Sequence, residues 1–161
     1  MASQENLDKT YLNMAETWAS LSRAKRKQVG CLIVKDGSII SDGYNGTPSG
    51  FDNNCEDILP GAGGRIMVDD EGDMVKGTFN LRTKPEVLHA ESNAITKLAK
   101  STQSSQDATM YITIAPCLEC SKLIIQSGIR RVVFGDHYRS KQGINLLKKS
   151  NIEILHYGCR F

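Results

Sequence analysis

The sequence has no apolar run approaching the length of a membrane span, so no transmembrane helix is expected. It also lacks a strong charge of either sign. Twenty Lys and Arg stand against 18 Asp and Glu, a net +2 with histidine neutral, which by itself does not point to a polynucleotide partner. No signal-like apolar segment follows Met1, and five cysteines are an odd number, so a reducing cytoplasm is expected rather than a disulfide framework. Two tempting motifs are incomplete: Gly61-Ala62-Gly63-Gly64 lacks the following Gly-Lys-Ser/Thr of a phosphate loop, and Asp69-Asp70-Glu71-Gly72-Asp73 lacks the alternating ligands of a calcium loop. With 161 residues, 40% of them hydrophobic, the chain is expected to form one core and one domain.

What is present is His89-Ala90-Glu91, followed later by Pro116-Cys117-Leu118-Glu119-Cys120. A lone Cys-x-x-Cys is often half of a structural zinc site or a redox pair. A structural site needs a fourth ligand, usually from a second Cys/His pair, and Cys31, Cys55 and Cys159 are isolated. Cys31 sits in the apolar run Val29-Gly30-Cys31-Leu32-Ile33-Val34, where a thiol behaves as a small buried hydrophobe. A redox pair leaves the His-x-Glu unexplained, and a catalytically silent zinc module gives Glu91 nothing to do. Catalytic zinc takes three His or Cys ligands and leaves the fourth tetrahedral position to water. His89, Cys117 and Cys120 fit that count, and Glu91 is two residues from the histidine, within reach of the same water as a proton carrier.

Leu7, Tyr11, Met14, Trp18 and Leu21 recur at helical spacing and predict an amphipathic helix whose stripe is core. Residues 29–35 and 38–44 read as strands joined by an Asp36-Gly37 hairpin turn. Helical periodicity begins at His89, through Ala90, Ala94, Ile95 and Leu98. Residues 109–115 form a β-rich run, 117–127 are helical until Gly128, 131–134 are a strand, 143–149 a helix and 152–155 a last strand. This alternation implies parallel pairing and a sheet covered by helices on both faces, with each zinc motif opening a helix where the N-terminal dipole favours thiolates. Residues 56–85, rich in glycine and with little periodicity, read as a long surface loop. Residues 66–68 and 74–75 are the candidate strands of a small hairpin within it.

The two motifs together resemble those of zinc-dependent nucleobase deaminases. Gly43-Tyr44-Asn45-Gly46-Thr47-Pro48-Ser49-Gly50 is similar to the GYNGxPxG segment of deoxycytidylate (dCMP) deaminases, and Lys122-Leu123-Ile124-Ile125-Gln126-Ser127-Gly128-Ile129 is likewise typical of them. The resemblance covers nearly the whole chain and is weakest in the central insertion, where some relatives carry a second, structural zinc. No His/Cys cluster marks that region here, so one zinc is expected. The resemblance implies a three-layer α/β/α cytidine deaminase-like fold with a mixed five-stranded sheet, in a bacterial or phage protein. It also implies conversion of dCMP and water to dUMP and ammonia in supply of dTTP synthesis. In that reaction activated water attacks C4 of cytosine, and Glu91 protonates N3 and then the departing amino group. A homohexamer is implied as well, activated by dCTP with Mg2+ and inhibited by dTTP, with Gly43, Tyr44, Asn45 and Gly46 at the effector nucleotide. Asn45 offers both a donor and an acceptor, and is assigned to substrate binding too.

A nucleotide substrate needs groups for its phosphate. Ser22-Arg23-Ala24-Lys25-Arg26-Lys27-Gln28 is the densest positive patch. Arg23, Lys25 and Lys27 also fit a solvated helix C-terminus. Arg26, just before the first strand, resembles the position from which relatives contact the substrate phosphate. His137-Tyr138-Arg139 follows the strand at 131–134, at the sheet end where ligands sit in open α/β sheets. Tyr138 is expected to pack on the cytosine ring and Arg139 to hold the phosphate bidentately, against the plainer reading of a turn tyrosine and a solvated arginine. His137, His156 and Lys148-Lys149 read as ordinary surface residues. A tRNA adenosine deaminase shares both zinc motifs but lacks the Gly-Tyr-Asn-Gly segment and calls for a more basic surface. A free-nucleoside or guanine-type deaminase is the remaining alternative.

Overall fold

The computed structural model describes residues 1–60, 67–68, 74–75 and 79–158. The two incomplete glycine and acidic motifs, Gly77 and Cys159 lie outside the described residues. In chain order the elements are α1 (Gln4–Ala19), β1 (Gly30–Lys35), β2 (Ser38–Tyr44), β3 (Glu56–Pro60), β4 (Met67–Val68), β5 (Met74–Val75), β6 (Phe79–Thr83), α2 (Ala90–Leu98), β7 (Thr109–Ile114), α3 (Leu118–Gln126), β8 (Arg131–Asp136), α4 (Gln142–Lys149) and β9 (Glu153–His156).

Asp36 and Gly37 adopt φ of 49° and 74°, the left-handed pair that a tight hairpin turn requires, and so fold β1 back on β2. β1 is buried on both faces and takes a second antiparallel partner in β7, after which β8 and β9 add in parallel. The five-stranded sheet is therefore mixed, in the order β2-β1-β7-β8-β9, as expected. Alternate residues feed the two faces. Leu32, Val34, Tyr111 and Val133 meet Ala15 of α1 on one side. Cys31, Ile33, Met110, Ile112, Val132 and Phe134 pack with side chains of α2, α3 and α4 on the other, which gives the three layers.

Two expectations are corrected. The buried stripe of α1 is Asp8, Leu12, Ala15 and Ala19, while Leu7, Met14, Trp18 and Leu21 stay exposed. The cause is a close approach: a Cβ on Gly30 of β1 would stand 2.0 Å from the Ala15 carbonyl oxygen, so only small residues fit where the helix crosses the strand. The segment at 56–85 is also not a bare loop. β3 and β6 pair antiparallel, from Glu56 opposite Thr83 to Pro60 opposite Phe79, and satisfy their backbone groups without periodic apolar positions. The small hairpin is present as β4 and β5, with Met67 opposite Val75. Among the described residues no helix is long and apolar enough to cross a membrane.

Candidate active site

One end of the sheet gathers the chemistry. Because β1 runs antiparallel to β2 and β7, its N-terminal end lies beside the C-terminal ends of both, and parallel β8 ends on the same side. The segment before β1 that carries Arg26, the Tyr44-Asn45-Gly46 segment after β2, the zinc motif after β7 and His137-Tyr138-Arg139 after β8 therefore emerge together.

His89 is the N-cap of α2, in extended conformation. It is delivered there by a bridge in which the Gly46 amide donates to the Leu88 carbonyl at 3.1 Å and the Leu88 amide to the Gly46 carbonyl at 2.9 Å. Cys117 caps α3 in the same way, and its Sγ accepts from the Cys120 amide at 3.5 Å. His89 Nδ1 lies 3.5 Å from Cys117 Sγ and 3.4 Å from Cys120 Sγ, and all three ligand atoms fall within 4.8 Å of one another. A tetrahedral zinc with bonds of about 2.1 Å to nitrogen and 2.3 Å to sulfur brings such atoms to about 3.6–3.8 Å of each other, so the donor set and spacing fit the metal.

The protonation pattern is that of a site built for charge. The Cys120 thiol, and then the His89 ring, hydrogen-bond Cys117 Sγ and hold its pKa down to about 3. Cys120 is pushed up by that same bond to Cys117 and by burial. Hydrogen bonding to Cys117 also raises His89 above its usual value. Glu91, in the first turn of α2, is only 4% exposed, and burial pushes its carboxyl up to about 7. A carboxyl with that value near neutral pH can both take and return a proton.

The residues assigned to substrate and effector differ in what they touch. Arg26 is exposed, and its guanidinium donates to Thr83 Oγ1 at 3.5 Å. Tyr138 packs against the core, with the Arg139 guanidinium 5.6 Å from its ring centroid, so one ring face is already covered. The Asn45 side chain is turned to the segment before β1: its Oδ1 accepts from the Val29 amide at 2.8 Å and its Nδ2 donates to the Lys27 carbonyl at 2.8 Å. Gly43 is buried against α2, so its missing side chain admits a helix rather than a ligand. Tyr44 and Gly46 do line a cleft of about 730 Å³, together with Arg23, Phe51, Lys97 and Lys100. That cleft lies on the outer face of α2, and sequence reasoning missed its Lys97 and Lys100. Their helical spacing from His89 was the available signal. Cys31 is fully buried in the core as expected, and Cys55 is buried beside the same cleft.

Residues 5–136 match the model of the cytidine and deoxycytidylate deaminase zinc-binding region, and the chain belongs to that family. Among curated proteins it is 31% identical to the deoxycytidylate deaminase of Enterobacteria phage T4 over 90% of this chain and 86% of that one. It is 35% identical to the Saccharomyces cerevisiae deoxycytidylate deaminase over 91% of this chain, which spans 43% of the yeast protein's length. Among solved structures, the dCMP deaminase from cyanophage S-TIM5 in complex with dCMP and dUMP superposes with a TM-score of 0.79. The two are 35% identical, and the match covers 97% of this chain and 100% of that one.

Proposed function

We propose that the protein hydrolyses dCMP to dUMP and ammonia at a single catalytic zinc per subunit, supplying dUMP for dTTP synthesis in a cytoplasmic setting. The observation that carries this reading is the convergence of His89 Nδ1, Cys117 Sγ and Cys120 Sγ beside a buried Glu91 whose carboxyl is pushed up to about 7. It is supported by likeness to proteins named deoxycytidylate deaminase, one of them structurally matched with dCMP and dUMP bound.

His89, Cys117 and Cys120 would hold the ion, which supplies a water acidified toward neutral pH and a Lewis acid at the fourth position. Glu91 does the proton work. Its carboxylate takes the proton from water as oxygen attacks C4 of the cytosine ring, and delivers it to N3. A second transfer through the same carboxyl protonates the amino group, the C4–N4 bond breaks, and ammonia leaves as the C4 carbonyl forms. Burial of Glu91 keeps both transfers away from bulk water. Tyr138 is proposed to flank the base, and Arg26 and Arg139 to pair with the 5′-phosphate. Asn45 is proposed to serve the substrate through the segment it holds, at Val29 and Lys27.

Regulation by nucleoside triphosphates, dCTP with Mg2+ as activator and dTTP as inhibitor, is proposed for the cleft on the outer face of α2. Arg23 and Lys100 supply positive charge there, with Lys97 paired to Asp42 at 2.6 Å, Phe51 an exposed ring, and Tyr44 and Gly46 the edge next to His89. A homohexamer is proposed with it, for which the exposed Leu7 and Met14 of α1 and Leu21 just beyond its end offer apolar contact area.

Ammonia release from dCMP, deoxycytidine, dCTP and an adenosine-containing RNA, each with and without dCTP or dTTP, tests the proposal. Turnover of dCMP above all others supports it, and preference for RNA or deoxycytidine overturns it.

A further inference from the structure

We infer that Glu56 is a positioning residue that presents Arg26 to the substrate phosphate, so that the β3–β6 arm helps this site choose nucleotide over nucleoside. The inference rests on the proposed role of Arg26 as a phosphate ligand.

Glu56 opens β3 and is 3% exposed, and a buried carboxylate is costly unless its oxygens are bonded. Its bonds go to main chain. Oε1 accepts from the Lys25 amide at 3.0 Å and the Arg26 amide at 3.1 Å, and Oε2 accepts from the Lys25 amide at 3.1 Å. The carboxylate thus grips the chain at Arg26 without neutralising its guanidinium, which has no carboxylate partner among the described residues. That guanidinium instead meets Thr83 Oγ1 at 3.5 Å, and Thr83 is the cross-strand neighbour of Glu56. One strand pair therefore holds both ends of Arg26, its backbone and its cation.

The rest of the segment is held as firmly. Asn45 bonds Val29 and Lys27, the Gln28 side chain donates to the Ser22 carbonyl at 2.6 Å, and the Ser22 hydroxyl donates to the Asn45 carbonyl at 2.7 Å. A stretch without helix or strand is fixed before any ligand arrives, which lowers the entropy cost of ordering an arginine around a phosphate. Glu56 lies outside the five-stranded sheet, in the β3–β6 pair, yet it reaches back to the proposed phosphate arginine.

The test is steady-state kinetics on dCMP and deoxycytidine for the zinc-loaded wild type, Arg26→Ala, Glu56→Gln and the double variant, with zinc content and Tm measured alongside. Glu56→Gln is expected to raise the KM for dCMP about ten-fold with little change in kcat, lowering the preference for dCMP over deoxycytidine by the same factor. In the Arg26→Ala background the same change should alter that preference less than about two-fold, because the residue acts through Arg26. Equal losses on both substrates, or effects that multiply in the double variant, would overturn the inference. Should Glu56→Gln fail to fold, Thr83→Val decides: this exposed site tolerates the change, a loss of preference supports the inference and an unchanged preference overturns it. If Arg26→Ala itself leaves the preference unchanged, the phosphate role of Arg26 falls and the inference with it. A selective defect in Arg26→Ala beside a wild-type preference in Glu56→Gln overturns the positioning role alone.

Discussion

A Cβ on Gly43 would stand 2.2 Å from the carbonyl oxygen of Ala90 and 2.7 Å from the amide nitrogen of Ala94, so β2 and α2 touch backbone to backbone. Ala90 lies between His89 and Glu91, the proposed zinc ligand and proton carrier. Any side chain at Gly43 therefore pushes α2, with His89 and Glu91, away from Cys117 and Cys120. Gly43→Ala is expected to cost about 1–3 kcal/mol of stability, as overpacking does, and to weaken zinc retention. Denaturant melts and metal content per chain check both effects.

Asp8 and Arg131 tie the opposite helix to the sheet. The guanidinium donates to both carboxylate oxygens at 2.7 Å, with Tyr111 Oη donating to Oδ1 at 2.8 Å. Burial pushes the Asp8 carboxyl up, but hydrogen bonds from Arg131, Gln4 and Tyr111 outweigh it and hold the pKa below 3.8. A folded-state value below the unfolded one means that this stabilisation is present above about pH 4 and is lost as pH falls through the folded-state value. Asp8→Asn should flatten the acid limb of stability measured by denaturation from pH 3 to 7. Arg131→Met, which strands a buried carboxylate, should cost about 3–5 kcal/mol at neutral pH.

Arg139→Ala should reduce kcat/KM for dCMP at least about ten-fold while changing deoxycytidine use far less, since only the nucleotide carries the charge. Tyr138→Ala should reduce both. Parallel kinetics on the two substrates separate the roles, and equal losses in Arg139→Ala would assign that residue to structure.

The effector reading turns on the cleft over α2. Lys100→Glu should abolish activation by dCTP and inhibition by dTTP while leaving zinc content and unliganded dCMP turnover in place, because it reverses a charge in the cleft and touches none of the zinc ligands. Sedimentation run with the kinetics tests the proposed hexamer.

The convergence of His89, Cys117 and Cys120 was legible because His-x-Glu and Cys-x-x-Cys have local spacing, each at the first turn of a helix whose periodicity is visible. The hairpin at Asp36-Gly37 was legible for the same reason. α1 was misread because large apolar residues at helical spacing outweigh Ala15 and Ala19 in any pattern. Small side chains were required by a strand that α1 meets only after folding, and Trp18 is kept outside by its indole N–H bond to Asp42 Oδ1 at 2.7 Å. The pairing of β3 with β6 left no local trace, since backbone bonds across some twenty residues define it. The contact of Gly43 with α2 and the bonds of the Asn45 side chain to the segment before β1 are long-range and leave no local mark in the sequence.

The most direct test of the whole account is dUMP formation from dCMP by wild-type and Glu91→Gln protein, with zinc counted in the same samples. The near-isosteric amide keeps the fold and the three ligands but cannot carry a proton. The account predicts about one zinc per chain in both and a loss of at least about a hundred-fold in kcat for the variant. Full turnover by zinc-loaded Glu91→Gln, or full turnover by wild-type protein stripped of metal, would contradict it.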